Sequence, residues 1–171
     1  MVMNMSSQAP AYGVLVIHTC PNSLAKAVEW ALQTEFQHFQ VEWKNQSLES
    51  NSSRMSLTWN ATLGTAARLA SALMQIPNLR FEISEHCAQA QSNERFAFTP
   101  NLGIFRATID QYGNSLFTEN QLREVLNSNL SNPIKLPQEM ARLLGTDWDT
   151  ELDKYRIDVA DENPDWIRVV S

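Results

Sequence analysis

The fold is decided by a short apolar stretch near the N-terminus, residues 14–18 (VLVIH), which is followed by Pro21. Its length and β-branched composition predict a buried strand. Successive side chains of a strand point to opposite faces, so Val14 and Val16 lie on one face and Leu15 on the other. A strand that is apolar on both faces is usually covered on both. We therefore expect this strand at the centre of a sheet.

Two amphipathic helices follow in the next sixty residues. Apolar side chains at helical spacing predict a helix over residues 23–36 and a second one that ends at Pro77. Thr62 is the candidate N-cap of the second helix. The aromatic side chains expected in the core of this region are those of Trp30, Trp43 and Trp59.

Three further strands are predicted from alternating apolar and polar residues, at residues 39–44, 55–60 and 79–84. Opposing Val41 and Leu57 places the apolar residues of the first two of these strands on one face. The order over residues 14–85 is then βαββαβ. That order is typical of a ferredoxin-like sandwich with strand order 4-1-3-2 and both helices on one face.

The rest of the chain predicts a β-hairpin and C-terminal helices around this core. The hairpin strands are expected at residues 95–99 and 104–110. Thr118 to Gln121 reads as a capping box that opens a helix, and Gly145 ends a later one. We expect one α+β domain over residues 13–156, with a flexible N-terminal tail at residues 1–12 and an acidic C-terminal tail at residues 157–171.

Composition excludes several classes of protein. The 171 residues are 43% hydrophobic and 19% charged, which excludes a disordered chain. A net charge of −6 argues against nucleic-acid binding. The chain contains no apolar run long enough to span a membrane and no nucleotide-binding or zinc-binding signature. Its first twelve residues lack the basic and apolar regions of a signal peptide, so we expect a loose tail there. Only two cysteines occur, so we expect a cytoplasmic protein without cofactor or metal.

Four runs of residues, in order along the chain, resemble an uncharacterised family of short actinobacterial proteins that carry a domain of unknown function. The resemblance covers residues 13–156 and assigns no catalytic residue. It implies a cytoplasmic actinobacterial protein and, through neighbouring genes, a partner in fatty-acid synthesis. The runs are residues 27–31 (AVEWA), 64–85 around LRFE, 98–105 (FTPNLGIF) and 144–149 (LGTDWD).

A candidate thiol site consists of His18 and Cys20, two residues apart at the end of the first strand. This spacing places both on one face, and the helix that follows would lower the pKa of the thiol. The alternative, which we favour, is a strand-end histidine and a small buried cysteine. A metal site that adds His86 and Cys87 is not expected, because the two pairs fall at opposite ends of neighbouring antiparallel strands.

A candidate anion or ligand site is the junction of Thr62, Gly64 and Thr65, where a strand meets a helix N-terminus. Free N–H groups at such a junction bind phosphates or carboxylates. The alternative is an ordinary helix cap with a glycine for close packing. We favour that alternative, because the first basic residue is as far along as Arg68.

The second face of the sheet presents the candidate interaction residues. They are Glu42, Thr58, Arg80 and Glu82, and Trp148 is either a core or an interface anchor. C-terminal helices, a partner or a ligand would cover this face. The leading hypothesis is a non-catalytic protein-binding or regulatory factor with a protein partner. A small-molecule-binding regulatory domain is the alternative, and an enzyme that uses His18 and Cys20 is the third.

Overall fold

The computed structural model describes residues 9–90 and 93–160, and side chains as far as Arg156. The six strands are β1 (Pro10–Pro21), β2 (Lys44–Asn45), β3 (Ser52–Thr62), β4 (Arg80–His86), β5 (Asn93–Thr99) and β6 (Gly103–Ile109). The five helices are α1 (Ala25–Gln33), α2 (Thr65–Leu73), α3 (Glu119–Ser128), α4 (Leu136–Leu144) and α5 (Thr146–Ala160). The α+β class is confirmed. None of the helices in the described residues is long and apolar enough to cross a membrane.

The strands form one antiparallel sheet in the order β2-β3-β1-β4-β5-β6. β1 lies inside the sheet between β3 and β4, as its apolar faces predict. The domain limits were predicted at residues 13 and 156. β1 begins earlier, at Pro10, and α5 ends later, at Ala160. The remaining parts of the two predicted tails, residues 1–8 and 161–171, lie outside the described residues.

One face of the sheet, which we call the first face, packs against α1 and α2. Leu15, Ile17 and Phe81 on this face are fully buried. Gly13 allows close packing here, because a Cβ atom at this position would lie 2.4 Å from the Trp59 ring and 1.9 Å from the backbone oxygen of Ser84. The ring of Trp59 therefore takes the space that a side chain at residue 13 would need.

The opposite, second face carries a separate small core under α5. Ala97, Phe105 and Ala107 pack there against Leu152. The ring centroids of Phe105 and Trp148 are 5.2 Å apart, and the Trp148 indole donates a hydrogen bond to the Gly103 carbonyl at 2.9 Å. Trp148 is thus a core anchor. A C-terminal helix covers this part of the second face.

The predicted strand over residues 39–44 is wrong in its extent, because only Lys44 and Asn45 pair with β3. Lys44 opposes Arg54, which continues the predicted alignment of Val41 with Leu57. The apolar side chains of this segment are half-buried against the core, as the alternation predicts. The Trp43 indole donates to Glu29 of α1 at 3.0 Å and so ties the segment to a helix instead of to the strand ladder.

Two local predictions for the helices are wrong, and two are confirmed. Trp30 is 62% exposed, because it lies two positions after the buried Val28 and therefore points away from it on a helix. Thr62 is not a cap, since it ends β3. The capping box of Thr118 and Gln121 forms, and Gly145 ends α4 with a φ of 76°.

Candidate functional site

A cluster of charged side chains centres on Glu82, between β4 and α5 on the second face. The Glu82 carboxylate accepts hydrogen bonds from His18 Nε2 at 2.8 Å, from Arg95 Nη2 at 2.8 Å and from Arg156 Nε at 2.9 Å. Arg95 and Arg156 also bind Asp149, at 2.5 and 2.7 Å. We call these five residues the Glu82 cluster. It joins three strands of the sheet to α5.

A second set of polar contacts lies beside it around Arg80. The guanidinium of Arg80 pairs with Glu49 at 2.8 Å and with Glu151 at 3.1 Å. Glu151 also accepts from Thr99 at 3.0 Å, and Tyr155 donates to Glu49 at 2.7 Å. These contacts hold α5 to β4, to β5 and to the loop between β2 and β3.

Burial and hydrogen bonding act in opposite directions on the pKa values of the Glu82 cluster. Burial by itself raises the pKa of Glu82, but the bonds from His18 and Arg156 outweigh it and hold that pKa well below its usual range. Burial by itself lowers the pKa of Arg156. The hydrogen bonds and charges of Glu82 and Asp149 raise it by more, so the net shift is upward. Glu82 is therefore ionised at neutral pH, opposite the guanidinium groups of Arg95 and Arg156.

This geometry changes the interpretation of the predicted interaction residues. Arg80 and Glu82 are engaged inside the molecule, and Trp148 belongs to the core under α5. None of these three offers its polar group to a partner. Glu42, in the segment before β2, and Thr58 on β3 remain exposed.

His18 and Cys20 do not form a thiol–imidazole pair, and the expectation that they share a face is wrong. The pairing of β1 with β4 shifts between Ile17 and Thr19, which is a β-bulge. His18 therefore points to Glu82 on the second face, while Cys20 is buried in the core of the first face. Burial raises the pKa of the Cys20 thiol to about 11, the opposite of activation.

His18 is 1% exposed, and its Nδ1 has no hydrogen-bond partner among the described residues. Its Nε2 is already engaged with Glu82. A substrate has no access to a side chain buried to this extent. The imidazole therefore serves to position Glu82 in the structure described.

The predicted anion site is occupied from within the chain. The carboxylate of Glu85 on β4 accepts hydrogen bonds from the backbone N–H of Gly64 at 2.8 Å and of Ala66 at 2.9 Å. Glu85 is 1% exposed, and Thr65 is fully buried. The Glu85 carboxylate thus accepts the hydrogen bonds of N–H groups at the N-terminus of α2, where the sequence predicted a site for an external anion. The cap alternative is the correct one, with Glu85 as the capping group.

The metal alternative also fails on geometry. Tyr12 opposes His86 and Thr19 opposes Arg80, so His18 and His86 lie near opposite ends of neighbouring strands, as expected. The His86 ring stacks on Tyr12 with centroids 5.5 Å apart. No group of three or more metal-ligating side chains occurs within residues 9–90 and 93–156.

An open groove lies at the end of α1, with a volume of about 640 Å³. Glu29, Gln33, Gln37 and Gln40 provide most of its polar lining, next to Phe39. The carboxylate of Glu29 already binds Lys26 and Trp43, and these bonds lower its pKa. Amide side chains therefore dominate the unoccupied polar groups of this groove.

The exposed apolar surface of α3 and of the segment that follows it is the feature that the sequence analysis missed. Leu122, Leu126, Leu130 and Ile134 recur at every fourth residue and are 36%, 52%, 75% and 90% exposed. We call these four residues the α3 strip. In the part of the chain that the structure describes, neither α3 nor α4 has a buried residue. For Leu122 and Leu126 the spacing was the available signal, since apolar residues four apart share a helix face. Leu130 and Ile134 follow the end of α3 at Ser128, so helical spacing does not account for their exposure.

Comparison with known proteins places this chain in a family without an assigned activity. The model of the family described as "Protein of unknown function (DUF3145)" matches residues 14–169. No curated protein and no solved structure matches the chain. The match agrees with the resemblance to an uncharacterised family, but it extends to residue 169, beyond the limit at residue 156 given for that resemblance. The chain therefore belongs to the DUF3145 family of proteins of unknown function.

Proposed function

We propose that this protein is a non-catalytic protein-binding or regulatory factor, and that the α3 strip is its binding surface. The observation that carries the proposal is the exposure of Leu130 and Ile134, at 75% and 90%. A large aliphatic side chain gains about 1.5–3 kcal/mol when it is fully buried. Contiguous apolar side chains that stay in water on a folded domain typically mark an interaction site.

The state of the other candidate sites supports the same proposal. The Cys20 thiol is buried with a raised pKa, and the carboxylate of Glu85 fills the α2 N-terminus. Arg80 and Glu82 hold α5 to the sheet. Each of these groups has a structural partner, whereas all four residues of the α3 strip are at least 36% exposed.

The proposal includes a ferredoxin-like core built from β1, α1, β2, β3, α2 and β4. It is supported by the order β4-β1-β3-β2 within the sheet and by the antiparallel pairing of each neighbour. α5 covers the second face over β4, β5 and β6, at Glu82, Thr99 and Phe105. Binding is therefore directed to the helical layer of α3 and α4 instead of to the covered part of the sheet.

The proposal also assigns a partner and a cellular setting. The family resemblance implies a cytoplasmic actinobacterial protein and a partner from fatty-acid synthesis. A small-molecule-binding regulatory domain remains the second candidate, since the groove beside Glu29 has the volume of a ligand site. It is less favoured, because ligand sites are mostly apolar and enclosed, and this groove is open and amide-rich.

Paired variants test the proposal. The purified chain is used to capture proteins from a lysate of its own cells, next to Leu130→Glu and the matched control Leu48→Glu. Leu48 is as exposed as Leu126, at 52%, but lies in the loop between β2 and β3. We expect a protein that binds the wild type and Leu48→Glu, and whose affinity for Leu130→Glu falls at least about tenfold in calorimetry with purified components. Equal binding to all three chains would contradict the proposal.

A further inference from the structure

The helices α3 and α4 with the 3-10 turn between them (Pro133–Lys135) form a single layer with an uncovered apolar side. The two helices contact each other, and α4 continues into α5 through Gly145. The α3 strip runs along this layer, and Leu116 and Leu144 add apolar surface that is 44% exposed. Helices of this kind are normally stable when a second layer covers their apolar side. Two such layers packed face to face would form a four-helix arrangement.

We infer that a second copy of this chain supplies the other half, so that two copies associate through their α3 strips. This inference rests on the proposed function and names the partner of the same surface. A two-fold axis brings the same patch of each copy together, so the patch must complement itself. A row of leucine and isoleucine side chains meets this condition, because each copy buries in the other the apolar surface that it exposes.

The charges around the layer favour a second copy over other partners. The whole chain has a net charge of −6, with 13 basic and 19 acidic residues. Residues 118–145 hold three acidic and three basic residues, so this segment is neutral. Two copies repel each other electrostatically when their acidic surfaces meet. The electrostatic repulsion is smallest when they approach through the neutral segment.

The charged residues beside the strip also suit a two-fold contact. Glu119 and Arg123 pair within α3 and stay exposed, with 80% and 64% of their side chains in contact with solvent. Because they compensate each other within one chain, this end of the strip brings no unpaired charge into a contact between two copies. A partner surface of a single charge sign would attract one of Glu119 and Arg123 and repel the other.

Light scattering after gel filtration tests this inference on the full chain. The wild type and Leu48→Glu should show twice the 19.4 kDa of one chain at high concentration and dissociate on dilution. A double variant, Leu130→Glu with Ile134→Glu, should be monomeric, with a dissociation constant raised at least about a hundredfold. Circular dichroism confirms that each variant is folded; if the double variant unfolds, Leu130→Gln replaces it.

Two results would overturn the inference. A double variant that dimerises as well as the wild type would place the interface elsewhere. A wild type that is monomeric at every concentration would remove the second copy as the occupant. If such a monomer still captures a protein that Leu130→Glu loses, the proposed function stands without self-association. If the Leu130→Glu change instead speeds amide exchange in residues 161–171 of the monomer, that segment of the same chain is the occupant.

Discussion

Arg156 on α5 binds Glu82 on β4 through two hydrogen bonds, Nε to Oε2 at 2.9 Å and Nη2 to Oε1 at 2.5 Å. The two side chains are only 10% and 13% exposed. This bidentate pair fastens the last described helix across the central part of the sheet. Because of this pair, the part of the sheet face that the sequence predicted to be an interface lies inside the molecule, under α5.

Glu82→Gln should destabilise the protein by about 3–5 kcal/mol, because it leaves Arg95 and Arg156 with one carboxylate fewer in a nearly buried site. Urea denaturation at pH 7 measures the change in the free energy of unfolding. The matched control is Glu94→Gln on β5, whose partner Arg106 is mostly exposed. The control should change stability by less than about 1 kcal/mol. Similar losses in the two variants would contradict this account of the Glu82 cluster.

Acid should weaken the protein through the same carboxylate. The pKa of Glu82 in the folded protein lies well below the 4.5 of an unperturbed glutamate, so the unfolded chain takes up the proton first. The contribution of Glu82 to stability is therefore fully present above about pH 4.5 and is lost as the pH falls toward the lower, folded value. Urea titrations between pH 7 and pH 3 should show a smaller loss in Glu82→Gln than in the wild type. If both proteins lose the same free energy of unfolding between pH 7 and pH 3, Glu82 does not cause the acid sensitivity.

Glu85→Ala should cost about 2–3 kcal/mol, because the N–H groups of Gly64 and Ala66 lose a buried charged acceptor. Glu85→Gln keeps one acceptor oxygen and should lose roughly half as much. Thermal unfolding of the three chains gives the order of stability. An alanine variant as stable as the wild type would mean that water caps α2 equally well.

The Cys20 thiol should be inert in the folded protein. With a pKa of about 11, it is almost wholly protonated at neutral pH. We expect alkylation by iodoacetamide at pH 7 to be slower than in the urea-unfolded chain by roughly a hundredfold or more. Peptide mass spectrometry separates Cys20 from the other buried cysteine, Cys87. Rapid modification of folded Cys20 would restore the enzyme hypothesis.

Much of the fold could be predicted from the sequence, because strands and helix caps depend on residues that are close together in the chain. The apolar faces of β1 identified a central strand, and the alternation around Val41 and Leu57 gave the register that Lys44 and Arg54 show. The capping box at Thr118 needs only four consecutive residues, and it forms as predicted.

The site residues depended on contacts that no local pattern contains. Glu85 caps a helix that begins twenty residues earlier, and Glu82 meets an arginine that lies 74 positions away. A bulge of one residue separates His18 from Cys20, and two-residue periodicity cannot anticipate it. The spacing of Leu122 and Leu126 on α3 was visible in the sequence, but the exposure of the α3 strip depends on where the helices end and pack.

The most direct test of the central claim, that protein covers the α3 strip, is photo-crosslinking in the cells that make this chain. Position 130 or position 48 is replaced by a photoreactive phenylalanine, and the chain is irradiated and recovered. The account predicts a protein adduct from position 130, either a second copy or a distinct partner, and none from position 48. Absence of an adduct at position 130, or equal adducts from both positions, would contradict it.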